Sequence, residues 1–254
     1  MAKLKKIVIE KHDRVFVLTG AGVSAESGLA TFRGLNGLWE GERVEDVASP
    51  HGWQRDPERV WRFYSQRRKS AARALPNGAH LALAELERAL GERFFLCTQN
   101  VDDLHERAGS QDLVHMHGEL FQSCCDRCER DPFPDTKLYE SREAHLRCDC
   151  GGWIRPNIVW FGEVPFHMDR IFEELRRCTV MLVVGTSGVV QPAASFVHWA
   201  NQRNADGGTP VRAYYVGPEH PANATAFTRV VEGKAGEVLP ELFTVRGKPG
   251  SVRE

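Results

Sequence analysis

The chain has 254 residues, enough for one large domain with a small insertion, and its 42% hydrophobic content supports a buried core and argues against disorder. Its 33 basic and 34 acidic residues leave a net charge of −1, which disfavours binding to nucleic acid or an anionic membrane. Neither a signal-peptide pattern nor a run of about 18 apolar residues is present, so we expect a cytoplasmic protein without membrane contact.

Short apolar runs along the chain have the pattern of buried parallel strands. They occupy residues 15–19, 94–98, 180–184 and 211–216. Helical patterns lie between them, as at 80–90 and 170–177. Strands that alternate with helices predict an α/β fold built on a doubly wound parallel sheet.

Two stretches interrupt this alternation. Residues 35–75 are rich in arginine and aromatics and predict short helices, while residues 121–154 hold a cysteine cluster. We expect both to be insertions that form a smaller lobe within a single domain spanning the whole chain. The larger lobe would then comprise residues 1–34, 76–120 and 155–246.

Glycines follow the first predicted strand, at Gly20, Gly22 and Gly28. Glycine permits a tight turn and close backbone approach to a pyrophosphate, and a helix starting there would offer N–H groups to an anion. The spacing differs from the usual G-x-G-x-x-G fingerprint, so a plain strand-to-helix turn is an alternative.

Two further polar loops follow predicted strands, at 98–103 and 185–187. Asparagine and aspartate in the first of them suit an amide or a ribose, although propensity alone would favour an ordinary turn. Because the carboxyl ends of parallel strands lie at one edge of a sheet, the three loops together predict a dinucleotide crevice.

Long sequence blocks in these same regions resemble the signature motifs of the sirtuins, which are NAD-dependent protein-lysine deacylases. They occur in the family's order, within residues 15–240, and are GAGVSAESGLATFRG (20–34), TQNVDDLHERAG (98–109), HMHGEL (115–120), IRPNIVWFGEVP (154–165) and GTSGVVQPAA (185–194). The resemblance implies a Rossmann-like large lobe and a small zinc lobe. NAD and an acyl-lysine protein or peptide would enter the cleft between them from opposite sides.

The resemblance also implies binding residues in each loop. For NAD they are Gly20, Ala21 and Gly22 at the pyrophosphate, Arg33, Gln99, Asn100 and Asp102 at the nicotinamide ribose and carboxamide, Gly185, Thr186 and Ser187 at the adenosine ribose, Gly217, Pro218, Glu219 and Ala235 at the adenine, and Ala25, Phe32, Trp39 and Val101 in addition. The backbone at Val159, Phe161, Gly162, Glu163 and Val164 is implied to pair with the substrate peptide as an added strand.

The resemblance places the catalytic histidine at His117, directly before Gly118 in a His-Gly pair. His115 is the rival by position and is expected to be structural. The implied mechanism needs a base to activate a ribose hydroxyl once nicotinamide has left, and yields O-acyl-ADP-ribose. An unperturbed imidazole, which titrates near pH ~6.5, suits that task.

The cysteine cluster contains two close pairs, Cys125 with Cys128 and Cys148 with Cys150. An odd total of seven cysteines argues against a disulfide framework, and four thiolates suit tetrahedral zinc. The resemblance implies one structural zinc here. The family usually has C-x-x-C for the second pair, whereas this chain has C-x-C. Cys148 is therefore an uncertain ligand by spacing, and Cys124 is the alternative to one of the four. A nucleic-acid-binding zinc module and plain buried thiols are the alternatives, and the neutral charge disfavours the first.

Tyr64 and Arg67 are three residues apart in a helical pattern and so share a face. Arginine offers a fork of donors to a carboxylate, and the tyrosine hydroxyl offers another. In desuccinylating sirtuins, a Tyr-x-x-Arg pair at this place recognises the acidic end of succinyl- or malonyl-lysine, and Thr31-Phe32-Arg33 matches that subgroup. A solvated arginine face is the alternative, because the segment also carries Arg59, Arg62, Arg68 and Arg73.

Two other functions are open to this sequence. Mono-ADP-ribosyl transfer to protein would use the same NAD site. A non-catalytic NAD-sensing or zinc-interaction module is the other, and the presence of Asn100, Asp102 and His117 argues against it. The prediction is therefore an NAD-dependent deacylase that removes acetyl groups and prefers succinyl or malonyl groups.

Overall fold

The computed structural model of the protein describes residues 4–31, 38–39, 41–141, 144–202 and 210–246. Its strands are β1 (Ile7–Ile9), β2 (Val15–Thr19), β3 (Leu38–Trp39), β4 (Glu42–Arg43), β5 (Phe94–Thr98), β6 (Leu113–His115), β7 (Gly118–Cys125), β8 (Phe133–Pro134), β9 (Ile154–Ile158), β10 (Val180–Val184), β11 (Arg212–Gly217), β12 (Arg229–Glu232) and β13 (Phe243–Val245). Its helices are α1 (Val44–Val47), α2 (Pro50–Arg55), α3 (Pro57–Arg73), α4 (Gly78–Leu90), α5 (Leu104–Arg107), α6 (Met168–Arg177), α7 (Phe196–Gln202) and α8 (Ala235–Leu242).

Six parallel strands of the described chain form one sheet in the order β12-β11-β10-β2-β5-β6. The chain starts at the centre with β2, moves outward to β6, and then returns to build the other half from β10. This order is that of a Rossmann-like doubly wound sheet, which confirms the predicted fold class. In such sheets, ligands bind beyond the carboxyl ends of the strands where the order reverses, which here lies between β2 and β10.

The central strands β2, β5 and β10 are buried along their whole length. Val15 and Val17 of β2 pack into one apolar cluster with residues of α4 and α8. The alternate residues Phe16 and Leu18 pack into a second cluster with residues of α6 and α7. Helices therefore cover both faces of the sheet, which explains why these strands have unbroken apolar sequences.

The two stretches that interrupt the alternation pack together in a third apolar cluster. Within it, α3 is 17 residues long, so the prediction of only short helices is wrong here. Asp56 caps the helix by accepting the backbone N–H of Arg59, and Pro57 occupies its first turn. The cluster also takes in the antiparallel sheet β8-β7-β9. The exact lobe boundaries remain a prediction.

Smaller differences from the predicted elements lie at their ends. The predicted strand 211–216 is displaced by one residue, and the parallel pair β1–β13 had no predicted counterpart. No helix in the described residues combines the length and the apolar character needed to cross a bilayer. The cytoplasmic location stays a prediction.

Candidate active site

The glycine loops after β2 and β10 pack backbone against backbone. Gly22 donates its N–H to the carbonyl of Gly185 at 2.7 Å, and Gly20 donates to that of Val184 at 3.0 Å. A Cβ on Gly22 would lie 2.7 Å from the Gly185 oxygen, and one on Gly185 would lie 2.4 Å from the nitrogen of Val23. Gly185 also has a φ of +62°, which disfavours other residues. The two loops can meet this closely because they carry no side chains at these points.

The third loop joins them through Gln99. Its backbone N–H donates to the carbonyl of Thr19 at 2.9 Å, and its side-chain amide donates to Thr186 Oγ1 at 3.2 Å. Loops 98–102 and 185–187 are thus bridged directly. All three predicted loops lie together at the carboxyl edge of the sheet, where the order reverses.

A buried polar cluster lies beneath these loops. Asn100 donates its side-chain amide to Ser24 Oγ at 2.9 Å, and Ser24 donates to Asp102 Oδ2 at 3.1 Å. Burial raises the pKa of Asp102, although the Leu104 N–H and Ser24 oppose this. An amide, a hydroxyl and a carboxyl group are the partners that a carboxamide and ribose hydroxyls require.

Ser24 and His80 are members of this cluster that sequence reasoning missed. His80 Nδ1 accepts the backbone N–H of Asn77 at 3.2 Å, so Nε2 carries the hydrogen and faces Ser24 Oγ at 3.4 Å. Burial lowers the pKa of His80 to about 4, which keeps the ring neutral. The Asn-x-x-His capping spacing was the available signal, because it fixes the ring at the start of α4.

The loop after β2 differs from the predicted helix start. Residues Ala21–Val23 and Ala25–Ser27 form two short 3₁₀ turns, not an α-helix. Ala25 is exposed on the second turn. The predicted NAD contacts Phe32 and Arg33 lie outside the described residues.

The predicted adenine residues lie on the β11 side of the crevice. Gly217 ends β11, followed by Pro218 and Glu219, and Ala235 is the first residue of α8. Next to it, the N–H of Gly236 donates to Glu26 Oε2 at 2.7 Å. This contact brings the start of α8 against the first glycine loop.

His117 lies in the turn between β6 and β7, with its ring Nδ1 3.2 Å from the carbonyl oxygen of Gln99. Because a carbonyl oxygen only accepts, Nδ1 carries the hydrogen and Nε2 keeps a lone pair. Burial lowers the pKa of His117 below its usual 6.5, and the Gln99 carbonyl opposes this. The ring is therefore neutral at pH 7 and able to accept a proton at Nε2.

His115 differs because both of its ring nitrogens have partners. Nδ1 lies 2.8 Å from the carbonyl of Asn100, and Nε2 lies 2.6 Å from Glu106 Oε1. Burial lowers the pKa of His115, but the hydrogen bond and charge of Glu106 outweigh it and raise the pKa. A ring held at both nitrogens suits a structural role, which favours His117 as the base.

Tyr64 and Arg67 lie on α3, and Tyr64 packs in the same apolar cluster as Val101, the residue between Asn100 and Asp102. The Tyr64 hydroxyl is buried and accepts the indole N–H of Trp160 at 3.1 Å. Arg67 is half-buried, with its guanidinium carbon 4.1 Å from the ring centroid of Trp39. Burial raises the pKa of Tyr64 to about 12. The positive charge of Arg67 opposes this rise, and it also opposes the rise in the pKa of Asp102. The packing of Tyr64 in one cluster with Val101 places α3 near loop 98–102, and Trp39 lies against Arg67.

The predicted substrate segment is less extended than expected. β9 ends at Ile158, and the N–H groups of Val159 and Phe161 already donate to the carbonyls of His117 at 2.9 Å and Ala48 at 3.0 Å. A substrate strand would therefore pair with other backbone groups of this segment.

After Phe161, the segment turns. Gly162 has a φ of +95°, and the N–H of Glu163 donates back to Trp160 at 2.9 Å. The Glu163 carboxylate is occupied by Arg155, with distances of 2.7 and 3.0 Å. Val164 is 79% exposed, an apolar side chain open to a partner.

The sulfur atoms of Cys125, Cys128, Cys148 and Cys150 all lie within 4.8 Å of one another. Two of the separations are 3.5 Å, from Cys125 to Cys150, and 3.7 Å, from Cys128 to Cys148. Tetrahedral zinc with Zn–S bonds of about 2.3 Å requires about 3.8 Å between sulfurs, so this set fits one zinc ion. Cys148 is thus included despite its unusual spacing, and Cys124 points instead to the carbonyl of Pro156 at 3.9 Å.

Comparison with known proteins decides the family. A profile of the Sir2 family matches residues 20–192. The chain belongs to the Sir2 family. Among similar sirtuins, the NAD-dependent protein deacylase of Shigella flexneri is 45% identical, covering 93% of this chain and 86% of its own length. The NAD-dependent protein deacylase of Caulobacter vibrioides is 46% identical, with coverages of 89% and 94%.

Solved sirtuin structures share the fold. A Sir2 homologue in complex with NAD is 43% identical, with a TM-score of 0.80, covering 91% of this chain and 88% of its own. A Sir2 protein bound to acetylated peptide is 29% identical, with a TM-score of 0.73 and coverages of 88% and 89%. These matches confirm the predicted class, an NAD-dependent protein deacylase, and the four cysteines confirm the predicted zinc-binding position. The acyl preference, the products and the roles of individual residues stay predictions.

Proposed function

We propose that this sirtuin removes succinyl and malonyl groups from protein lysines in preference to acetyl groups. The reaction would consume acyl-lysine, NAD and water and release lysine, nicotinamide and O-acyl-ADP-ribose. The preference is supported by one observation above the others: Tyr64 and Arg67 share a face of α3, and Tyr64 packs in the same apolar cluster as Val101, next to Asp102.

The polar cluster suits the binding of the nicotinamide end of NAD. When bound, NAD would supply the ADP-ribosyl group that accepts the acyl group. Asn100 and Asp102 would contact its carboxamide and ribose, and Gly20 and Gly22 allow close backbone approach to the pyrophosphate. Arg33 and Phe32 are proposed for the same end from the family resemblance alone.

His117 would act as the general base. Its Nδ1–H is directed to the Gln99 carbonyl, which orients the ring and leaves the Nε2 lone pair for a ribose hydroxyl. The lowered pKa keeps this nitrogen unprotonated at neutral pH. Because the backbone carbonyl of Gln99 fixes the tautomer, Nε2 can accept a proton without a carboxylate bound to Nδ1.

The acyl pocket is proposed to lie between α3 and the polar cluster. Tyr64 stays protonated, since burial raises its pKa to about 12, and so remains a hydrogen-bond donor. The guanidinium of Arg67 lies over the ring of Trp39. A planar fork and a hydroxyl donor together suit a terminal carboxylate, and an acetyl group offers none.

The test compares acetyl, succinyl and malonyl versions of one peptide with NAD, measuring nicotinamide release and the acylated product. We expect kcat/KM for the acidic acyl groups to exceed that for acetyl at least tenfold. His117→Ala is the control for chemistry in the same site. Equal rates on all three peptides would remove the acyl preference, and nicotinamide release without acyl-lysine would remove the deacylase assignment.

A further inference from the structure

Trp160 connects the substrate segment to the acyl-selecting helix. It lies between Val159, which is half-buried, and Phe161, which is exposed, and only 2% of its own surface is exposed. Its indole N–H donates to the Tyr64 hydroxyl oxygen at 3.1 Å. A single side chain thus joins the segment proposed to hold the peptide to the residue proposed to recognise the acyl group.

The indole is held firmly in this orientation. The guanidinium carbon of Arg155 lies 3.5 Å from its ring centroid, and the ring of Trp53 lies 5.8 Å away. Arg155 is itself fixed by Glu163, which also accepts the backbone N–H of Trp160 at 2.7 Å. The direction of the indole N–H is therefore set by the packing of Trp53 and by the ion pair of Arg155 with Glu163.

The donor and acceptor roles in this contact are fixed by chemistry. An indole N–H can only donate, whereas a tyrosine hydroxyl has one hydrogen to donate and lone pairs to accept. Tyr64 must therefore accept from Trp160, and its own hydrogen is directed to a different acceptor. Arg67 lies one turn further along the same face of α3.

We propose that Trp160 is a positioning residue for acyl selectivity, whose N–H commits the Tyr64 hydroxyl to donate its hydrogen to the carboxylate of the acyl group. This inference rests on the proposed preference for succinyl and malonyl groups. A substrate without that carboxylate makes no use of the donated hydrogen, so Trp160 influences deacetylation little through this contact.

The test is Trp160→Phe, assayed on succinyl and acetyl peptides. We expect kcat/KM for the succinyl peptide to fall about fivefold, equivalent to about 1 kcal/mol, mainly through a higher KM, with the acetyl value within about twofold. Trp53→Phe is the matched control, because it alters the same aromatic cluster but its N–H donates to Asp126. The ratio of the two activities is taken within each variant, so a partly unfolded preparation does not change it.

A double-mutant cycle with Tyr64→Phe decides whether the effect passes through the hydroxyl. We expect Trp160→Phe to lower the succinyl-to-acetyl ratio in the wild-type background and to leave it unchanged in the Tyr64→Phe background. An unchanged ratio in Trp160→Phe, or an equal fall in Trp53→Phe, would overturn the inference alone. An unchanged ratio in Tyr64→Phe and Arg67→Met would overturn the proposed acyl preference itself.

Discussion

Replacing Arg67 by methionine tests the acyl preference most directly. Methionine keeps an apolar side chain of similar length against Trp39 and removes the charged guanidinium, whose carbon lies 4.1 Å from the centroid of that ring. Hydrogen bonds to charged groups contribute about 1.5–3 kcal/mol each, which corresponds to roughly a 10- to 150-fold loss of kcat/KM on a succinyl peptide. Deacetylation should change little, because the acetyl group has no carboxylate for the fork to bind.

Two further variants on α3 serve as controls for this prediction. Arg62→Met removes an exposed arginine that pairs with Glu58 at 3.0 Å on the same helix, and should leave both activities unchanged. Arg67→Lys keeps the charge without the planar fork and should give an intermediate loss on the succinyl peptide. Steady-state kinetics on matched succinyl and acetyl peptides measure all three variants. If Arg67→Met lowers both activities equally, the guanidinium does not recognise the acyl group and the reasoning fails.

The other predictions concern the base, the zinc ligands and the glycine loops. His117→Ala should lower turnover by about 10²–10⁴-fold while calorimetry still detects NAD binding; near-normal turnover would exclude it as the base. Because burial lowers the pKa of His117 and the neutral ring is active, wild-type kcat/KM should rise through a pKa below 6.5 and be flat near pH 7, and a pH profile still rising at pH 7 would contradict this. Cys148→Ser should remove the zinc and several kcal/mol of stability, and Cys124→Ser should retain one zinc per chain by elemental analysis; the reverse result would reassign the ligand. Gly185→Ala should destabilise the fold by about 1–3 kcal/mol and raise KM for NAD, measured by thermal melts and kinetics; an unchanged KM would mean that the loop contact does not shape the NAD site.

The sheet was predictable because the burial of its strands is visible in their apolar sequences. A strand covered on both faces must be apolar throughout, and each of the central runs ends where a glycine or a polar loop begins. The positions of the glycine loops, directly after β2 and β10, were predicted correctly because these strands were. What the sequence pattern did not give was their contact, because the approach of Gly22 to Gly185 depends on two segments more than 160 residues apart.

Arg68 shows the limit of reasoning from one helix. In the sequence it was one of several arginines that could have formed a solvated face. In the structure it is 1% exposed and donates to Asp135 at 3.2 Å and to the carbonyl of Leu120 at 2.8 Å. Arg68 follows Arg67 directly in the sequence, but only the fold of β7 and the cysteine-rich insertion supplies the partners that allow a buried charge.

The sequence by itself determined the alternation of strands and helices, the family motifs and the candidates for the residues that carry chemistry. These are local properties, since burial pattern, turn chemistry and motif spacing can be read along the chain. The tertiary structure decided the tautomer of His117, the inclusion of Cys148 with the other three thiols, and the contact of Trp160 with Tyr64. Each of these depends on which distant atom lies within hydrogen-bonding or metal-binding distance, and that distance is set by packing between elements.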